Sequence, residues 1–316
     1  MKDGIYEDLP EDDYHALPRL SASGIKHLLV SPMDFWRRSW LNPKRKIVKK
    51  KAFEIGKAYD KMLIDGSAAF KAMYAMPFDE DEFEDALDTV QDLKEECASL
   101  LLAVGGNKSE LIQRLRDNGC DKLIIQEEKD KWLAATEGLC VIPASDYESL
   151  MTVGDYMEAQ PNNPFRGGKS QISVLWTDEE TGVPMKSRYD YLKDRLITDL
   201  KTFSNIGEFP INLAVSRAVA TYKYHIQSAV YLDSHKIMFK TPAKFQFVFV
   251  NTGDTVLAVG KRFINNSLLH QVGHMAYRRG VETFAEYYRK FGNRPWIDDL
   301  SMTDLHDDEM PGYVFD

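Results

Sequence analysis

The chain predicts a mixed α/β fold, with a central sheet flanked by helices and a helical insertion ahead of it. Three observations carry this. Residues 171–177, 183–191 and 195–202 read as consecutive strands, with Glu180-Thr181-Gly182 and Lys193-Asp194 as the turns between them. Stretches at about 211–234 and 262–291 instead repeat apolar residues with a helical period. Between the N-terminal helical patterns and the first strand, Pro161-Asn162-Asn163-Pro164 and Gly167-Gly168 form a strong breaker.

In chain order, Ser21 and Ser23 precede Ile25, Leu28 and Leu29, the start of a capped amphipathic helix. Ser31-Pro32 opens a second helix through Phe35 and Trp36, with proline where its missing N–H costs nothing. The acidic run from Asp79 to Asp88 is a solvated connection, and helical patterns resume up to about residue 160. After the three strands and the following helix, apolar alternation at 243–251 and 255–260 supplies further strands, which completes an α/β order with a mixed sheet. The tail from Asp298 is acidic and expected to be mobile.

With 44% apolar residues over 316 positions, the chain can bury a substantial core. Its net charge of -9 argues against a general polyanion binder, but Arg37, Arg38, Lys44, Arg45, Lys46, Lys49, Lys50, Lys51 and Lys57 face only Glu54 between residues 37 and 57. That local patch is expected to contact phosphates, with Lys49, Lys50 and Lys51 at its centre. Cys97, Cys120 and Cys140 are too far apart for a zinc or iron–sulfur spacing and are expected to be reduced thiols. No signal-peptide core and no membrane-length apolar run is visible, so a cytoplasmic protein is expected.

The chemistry concentrates in residues 188–202. Asp199 and Lys201 share one face of a strand, with Leu200 on the other. A turn at Lys193-Asp194 would set position 188 opposite 199, with Asp190 as its diagonal neighbour. Two carboxylates and a main-chain carbonyl, that of Leu200, are oxygen donors suited to Mg²⁺, with Mn²⁺ as a substitute, and Lys201 would orient or help deprotonate an attacking water at a phosphodiester. Arg188 is expected either to contact a phosphate or to pair with Asp199. Downstream, Gln227 and Tyr231 stand four residues apart on a helix and so share a face; Gln227 is expected at the scissile strand or water, Tyr231 at a phosphate, and His225 in a structural place.

Asp190, eight residues, Asp199, one residue and Lys201, followed by Gln-x-x-x-Tyr at Gln227 and Tyr231, resemble the PD-(D/E)xK (restriction-endonuclease-like) nuclease superfamily and its RecB-like branch. The similarity is greatest to the phage and prophage exodeoxyribonuclease VIII (RecE) type, which shares the Ser-x-Ser start seen at Ser21 to Leu29. That family has a Gly-x-x-x-His element whose histidine binds metal; here Gly56 is followed by Asp60, and a carboxylate can serve a hard cation in its place. A glutamate frequent on the family's first core strand is matched by the neutral Gln171.

A second resemblance, to the SAP motif that binds duplex DNA, covers Asp92 to Cys97 and Gly106 to Leu115. It implies Lys108 and Arg114 as DNA contacts, while Leu101 replaces a turn glycine. The expected division is residues 1–85 as the N-terminal helical part of the nuclease, 86–120 as the SAP-like insertion, 121–291 as the nuclease core and 292–316 as an acidic tail. Together the resemblances imply an exonuclease that degrades one strand of linear duplex DNA, 5′ to 3′, from its ends. They also imply a homo-oligomeric ring and a single-strand annealing protein as partner. A structure-specific endonuclease and a catalytically decayed DNA-binding module are the alternatives.

Overall fold

The computed structural model describes residues 1–46, 51–203, 205, 207–252 and 257–298, excluding the side chains of 51–53 and 257. Strand β1 (Gly4–Tyr6) and helices α1 (Glu11–Ala16), α2 (Ala22–Leu28) and α3 (Pro32–Arg38) come first. Helix α4 (Lys51–Asp60) runs into a π-helical turn at Lys61–Asp65, followed by α5 (Ser67–Lys71), β2 (Tyr74–Ala75), α6 (Val90–Ser99), α7 (Lys108–Asp117), α8 (Ile125–Ala135), β3 (Cys140–Val141) and α9 (Ala144–Glu158). The remainder is β4 (Lys169–Thr177), β5 (Pro184–Lys193), β6 (Leu196–Phe203), α10 (Ile211–Thr221), α11 (Tyr224–Phe239), β7 (Lys244–Asn251), β8 (Leu257–Phe263) and α12 (Leu268–Phe291).

Two compact units result, one drawn from Met1–Lys49, Arg166–Phe249 and Val259–Asp316, the other from Lys50–Phe165 and Val250–Ala258. These boundaries cut across the expected ones. The segment 50–85 joins the helices up to 165 rather than the N-terminal helices, because its apolar side chains meet partners there: Gly154 of α9 approaches Met62 so closely that a Cβ would lie 2.6 Å from its sulfur. Nor is 292–298 a free tail, since Trp296 is 1% exposed and packs against Phe35 and Phe284.

The first unit holds a six-stranded, mostly antiparallel sheet in the order β1-β4-β5-β6-β7-β8. Its core gathers Ile172, Val174 and Trp176 of β4, Met185 and Tyr189 of β5, Ile197 of β6 and Phe245, Phe247 and Phe249 of β7 with apolar residues of α2, α11 and α12. Helix α11 lies on this face, where Ser234 Oγ bonds the hydroxyls of Ser187 and Tyr189. The opposite face carries α1: the buried Lys186 ammonium donates to the carbonyls of Tyr14, His15 and Leu17.

Three details depart from the simple sequence pattern. The single helix expected over 211–234 is two, because Lys223 adopts a left-handed φ of 51° and restarts the chain as α11. The hairpin turn is Asp194-Arg195 rather than Lys193-Asp194, with Lys193 still paired to Leu196. Within β5, Tyr189 belongs to the core and Leu192, three positions on, packs against the same core, which strict alternation forbids. The irregularity falls at Asp190: the β4–β5 ladder pairs Ser170 with Tyr191 and Ile172 with Tyr189 but skips Gln171 and Asp190, and Gln171 is left-handed at φ 56°.

In the second unit, α6 and α7 each begin with a reciprocal capping box, Thr89 with Asp92 and Asn107 with Glu110. They close over a small core of Leu93, Cys97, Leu111, Leu115 and Ile124. The three cysteines are free thiols, Cys97 buried and Cys140 exposed. No helix among the described residues is long and apolar enough to cross a membrane.

Arg278 of α12 joins the β4–β5 turn: it pairs with the buried Asp178 and reaches Glu180 at 2.7 Å, while Thr181 Oγ1 donates to Asp178 at 2.6 Å. Burial alone would raise the Asp178 carboxyl, but the Arg278 and Thr181 hydrogen bonds hold it below its usual range. Its stabilisation is therefore present above the unfolded carboxyl value and is lost as pH falls through the lower folded one. Arg278→Met should cost about 3 kcal/mol at neutral pH by stranding that carboxylate. Urea titrations should show the gap from the parent protein narrowing below pH about 4; a gap constant down to pH 3 would mean the loss is of packing.

Leu101 sits left-handed at φ 59° and is 95% exposed, so it occupies a glycine-type turn with no packing to repay the strain. Leu101→Gly should stabilise the α6–α7 pair by about 1 kcal/mol, read as slower amide exchange in those two helices. Unchanged exchange would show that the turn carries no such strain.

Candidate active site

Asp190 and Asp199 are contributed by neighbouring strands, and the ladder irregularity brings them together. Described β5–β6 pairing runs from Lys193↔Leu196 to Tyr191↔Thr198. Beyond it, the Leu200 N–H is accepted at 2.7 Å by Asp190 Oδ2, a side-chain oxygen doing the work of a ladder carbonyl. The expected relation of position 188 to 199 is therefore replaced by a direct link from Asp190 to the residue after Asp199. The physical reason is the turn, which lies one residue further on than expected.

Asp199 is 1% exposed. Its Oδ2 accepts from Gln227 Nε2 at 2.5 Å, and Lys201 pairs with its Oδ1, an atom that makes no hydrogen bond of regular geometry among the described residues. Burial pushes this carboxyl up, against the pull of Lys201 and Lys26. Burial alone would lower Lys201, yet its ammonium is raised above its ordinary value because Asp199 and Asp190 both face it. The upward direction on Lys201 is the decisive one: the pair is held as carboxylate and ammonium.

Gln227 and Tyr231 share a face of α11 as expected, but they do different things. Gln227 anchors Asp199, whereas Tyr231 is 9% exposed with its ring 5.2 Å from that of Tyr189 and 6.1 Å from that of Phe245. Burial, with Asp199 adding to it, lifts its phenol well above the ordinary value. Tyr231 is thus a core residue behind the site and not an open phosphate contact, because α11 turns that face into the sheet. Arg188 does not pair with Asp199: it lies on the α1 side of the sheet, donating to Gln171 Oε1 at 2.7 Å, Ser173 Oγ at 2.9 Å and the Leu9 carbonyl at 2.8 Å. Gln171, opposite Asp190 in the strand order, is thereby held through its amide oxygen.

Asp60 ends α4 in the second unit, immediately before the π-helical turn, with Tyr59 and Met62 buried as the helix pattern requires. Lys49 and Lys50 lie outside the described residues, as does the side chain of Lys51. Arg37 and Arg38 are both paired to Asp34, so part of the basic run is neutralised locally. Lys108 faces Asp88 at 3.6 Å, and Arg114 donates to the carbonyls of Ala103 and Gly105, closing the loop between α6 and α7. Arg114 thus holds that loop, and Lys108 ties the start of α7 to the residue before the α6 N-cap.

Lys26 and Tyr224 carried no local sequence signal, since one reads as a polar position on a capped helix and the other as an aromatic before Gln227. Lys201 Nζ lies 5.2 Å from the Tyr224 ring centroid and Lys26 Nζ 5.0 Å from the same ring. No cluster of three or more metal-ligating His, Cys, Asp or Glu side chains occurs among the described residues. The donor set nevertheless fits a divalent ion that keeps most of its waters, because Asp190 and Asp199 are hard oxygen ligands and Asp199 Oδ1 is a buried oxygen lacking a regular hydrogen bond.

Residues 153–283 match a family described as a PDDEXK-like domain of unknown function (DUF3799), and residues 89–118 match the SAP domain. The site lies inside the first of these. Among solved structures, a "Putative exonuclease" from Eubacterium rectale is 14% identical, with 88% of this chain and 85% of that chain covered and a TM-score of 0.50, a likeness of fold. A second, SSO0001, is 15% identical over 61% of this chain and 83% of that one at a TM-score of 0.25, too low to carry an argument. No curated protein matches. The fold is thus a mixed α/β core that matches a PDDEXK-like domain over 153–283, and the α6–α7 unit matches the SAP domain.

Gln227→Leu should destabilise the protein by about 2 kcal/mol by taking the amide from a buried carboxylate. Guanidinium denaturation tests this; an unchanged midpoint would mean that Asp199 does not depend on the amide.

Proposed function

We propose that the chain is a metal-dependent deoxyribonuclease acting as an exonuclease on linear duplex DNA. The observation that supports it is the Asp190, Asp199 and Lys201 constellation on adjoining strands of a PDDEXK-like core, with Asp199 buried and anchored by Gln227. Asp190 and Asp199, with the Leu200 carbonyl, would hold Mg²⁺ or Mn²⁺. The bound ion would supply Lewis acidity at the scissile phosphate and acidify a water. The chain's own residues do the rest. Lys201, kept cationic by its two carboxylates, offsets negative charge developing at the phosphate and orients the attacking water. Gln227 fixes the Asp199 carboxylate, so that its Oδ1 keeps one direction. The SAP domain and the Lys49 to Lys51 run supply duplex affinity.

Asp60 is proposed as a further oxygen ligand on the strength of its position after Gly56. The 5′ to 3′ polarity, a ring-shaped homo-oligomer and an annealing partner rest on the family resemblance. A decayed DNA-binding module is the second reading, favoured by the neutral Gln171 and its engagement by Arg188.

The deciding experiment incubates the protein with Mg²⁺ and linear duplex labelled at the 5′ or the 3′ end, beside covalently closed circular DNA. Loss of label from one kind of end, with the circle intact, is expected, and Lys201→Ala should slow it by at least about 100-fold. Asp60→His should retain cutting and shift preference toward Mn²⁺. Cleavage of the circle would replace the exonuclease by an endonuclease. Binding without any cutting would leave the decayed module.

A further inference from the structure

Tyr224 is flanked by two ammonium groups, and only one is matched. Lys201 has Asp199, whereas no carboxylate among the described residues forms an ion pair with Lys26. Lys26 does not wander into this position. It follows Ile25, which is fully buried, on a helix capped by Ser21. Helix α12 presses on that residue at Gly280, where a Cβ would lie 2.6 Å from Ile25 Cγ2. The fold therefore fixes the stem of Lys26 and points its head at the ring that Lys201 also meets.

The surroundings make this arrangement costly without an anion. Lys223 adds a third cation just before α11, and His225, one residue beyond Tyr224, carries a buried Nδ1 with no hydrogen bond among the described residues. Burial is the first cause that draws Lys26 down to about 8, Lys201 and Lys223 push the same way, and Asp199 opposes them only in part. Like charges gathered in a partly desolvated place are relieved by a diffuse anion that takes hydrogen bonds from several of them. A phosphodiester has that chemistry.

We propose that Lys26 is a substrate-binding residue of this site: its ammonium takes a non-bridging oxygen of the DNA backbone phosphate held beside Lys201, with the Tyr224 ring spacing the two cations. This rests on the nuclease reading for its substrate but not for its test, since phosphate binding is measurable without cutting. Structural packing of Lys26 on Tyr224 would predict a different result, because packing releases no counterions.

The test uses the full chain and a fluorescent linear duplex in EDTA, titrated over a range of salt, with Lys26→Met and Lys26→Arg beside the parent. Lys26→Met should weaken binding about tenfold and flatten the log–log salt slope by about 0.9, and Lys26→Arg should restore both. With Mg²⁺ added, Lys26→Met should raise KM and leave kcat within a few-fold. A Lys26→Met protein with the parent's affinity and slope overturns the proposal, as does a loss that Lys26→Arg fails to recover. If the parent binds with the Lys26-dependent slope but never cuts, the nuclease reading falls and the phosphate site stands. If it cuts and Lys26→Met behaves as the parent, the reverse holds. A parent protein that binds no duplex sinks both.

Discussion

A carboxylate at 1% exposure is the constraint around which the first unit is organised. An isolated buried charge of that kind is prohibitively expensive, so Asp199 must be matched by charge and by hydrogen bonds at once. Lys201 supplies the charge from two residues along the same strand, and Gln227 supplies the amide from α11. Both must be in register for the carboxylate to be tolerated, so the same interactions that make burial possible also aim the polar groups at one point.

The surrounding elements meet that demand through local irregularity. The break in alternation at Asp190 turns its carboxylate toward β6, where it takes the Leu200 N–H. The left-handed Lys223 ends α10 and starts α11, which sets Gln227 over Asp199. Helix α12 holds α11 in place by an approach that only glycine permits: a Cβ at Gly273 would sit 2.2 Å from the His225 carbonyl oxygen. The left-handed residues Gln171 and Lys223 fall here, where a regular ladder would point Asp190 away.

The SAP-like α6–α7 unit follows a different logic. Its stability comes from two capping boxes and a five-residue core, and its named basic side chains, Lys108 and Arg114, already serve Asp88 and the loop carbonyls. Exposed charge that is spoken for locally is a weaker guide to a binding surface than charge the fold has left unmatched, and by that measure Lys26 stands apart from the basic residues picked out by composition.

The sequence by itself determined the order of elements, the strands around Asp190, Asp199 and Lys201, the helix that carries Gln227, and the SAP segment. These follow from local periodicity, capping residues and short spacings, all of which act within a few residues. It also marked Leu101 as standing in a glycine's place, which its left-handed backbone shows. Only the tertiary structure decided that Arg188 bonds Gln171 and Ser173 and Tyr231 packs in the core, that the hairpin turns one residue later, that residues 50–85 join the second unit, and that Lys26 meets Tyr224. Those outcomes depend on which face an element presents and on which distant side chain reaches it. A local break in the ladder redirects a side chain without changing any residue, and a contact between positions 26 and 224 leaves no trace in either neighbourhood.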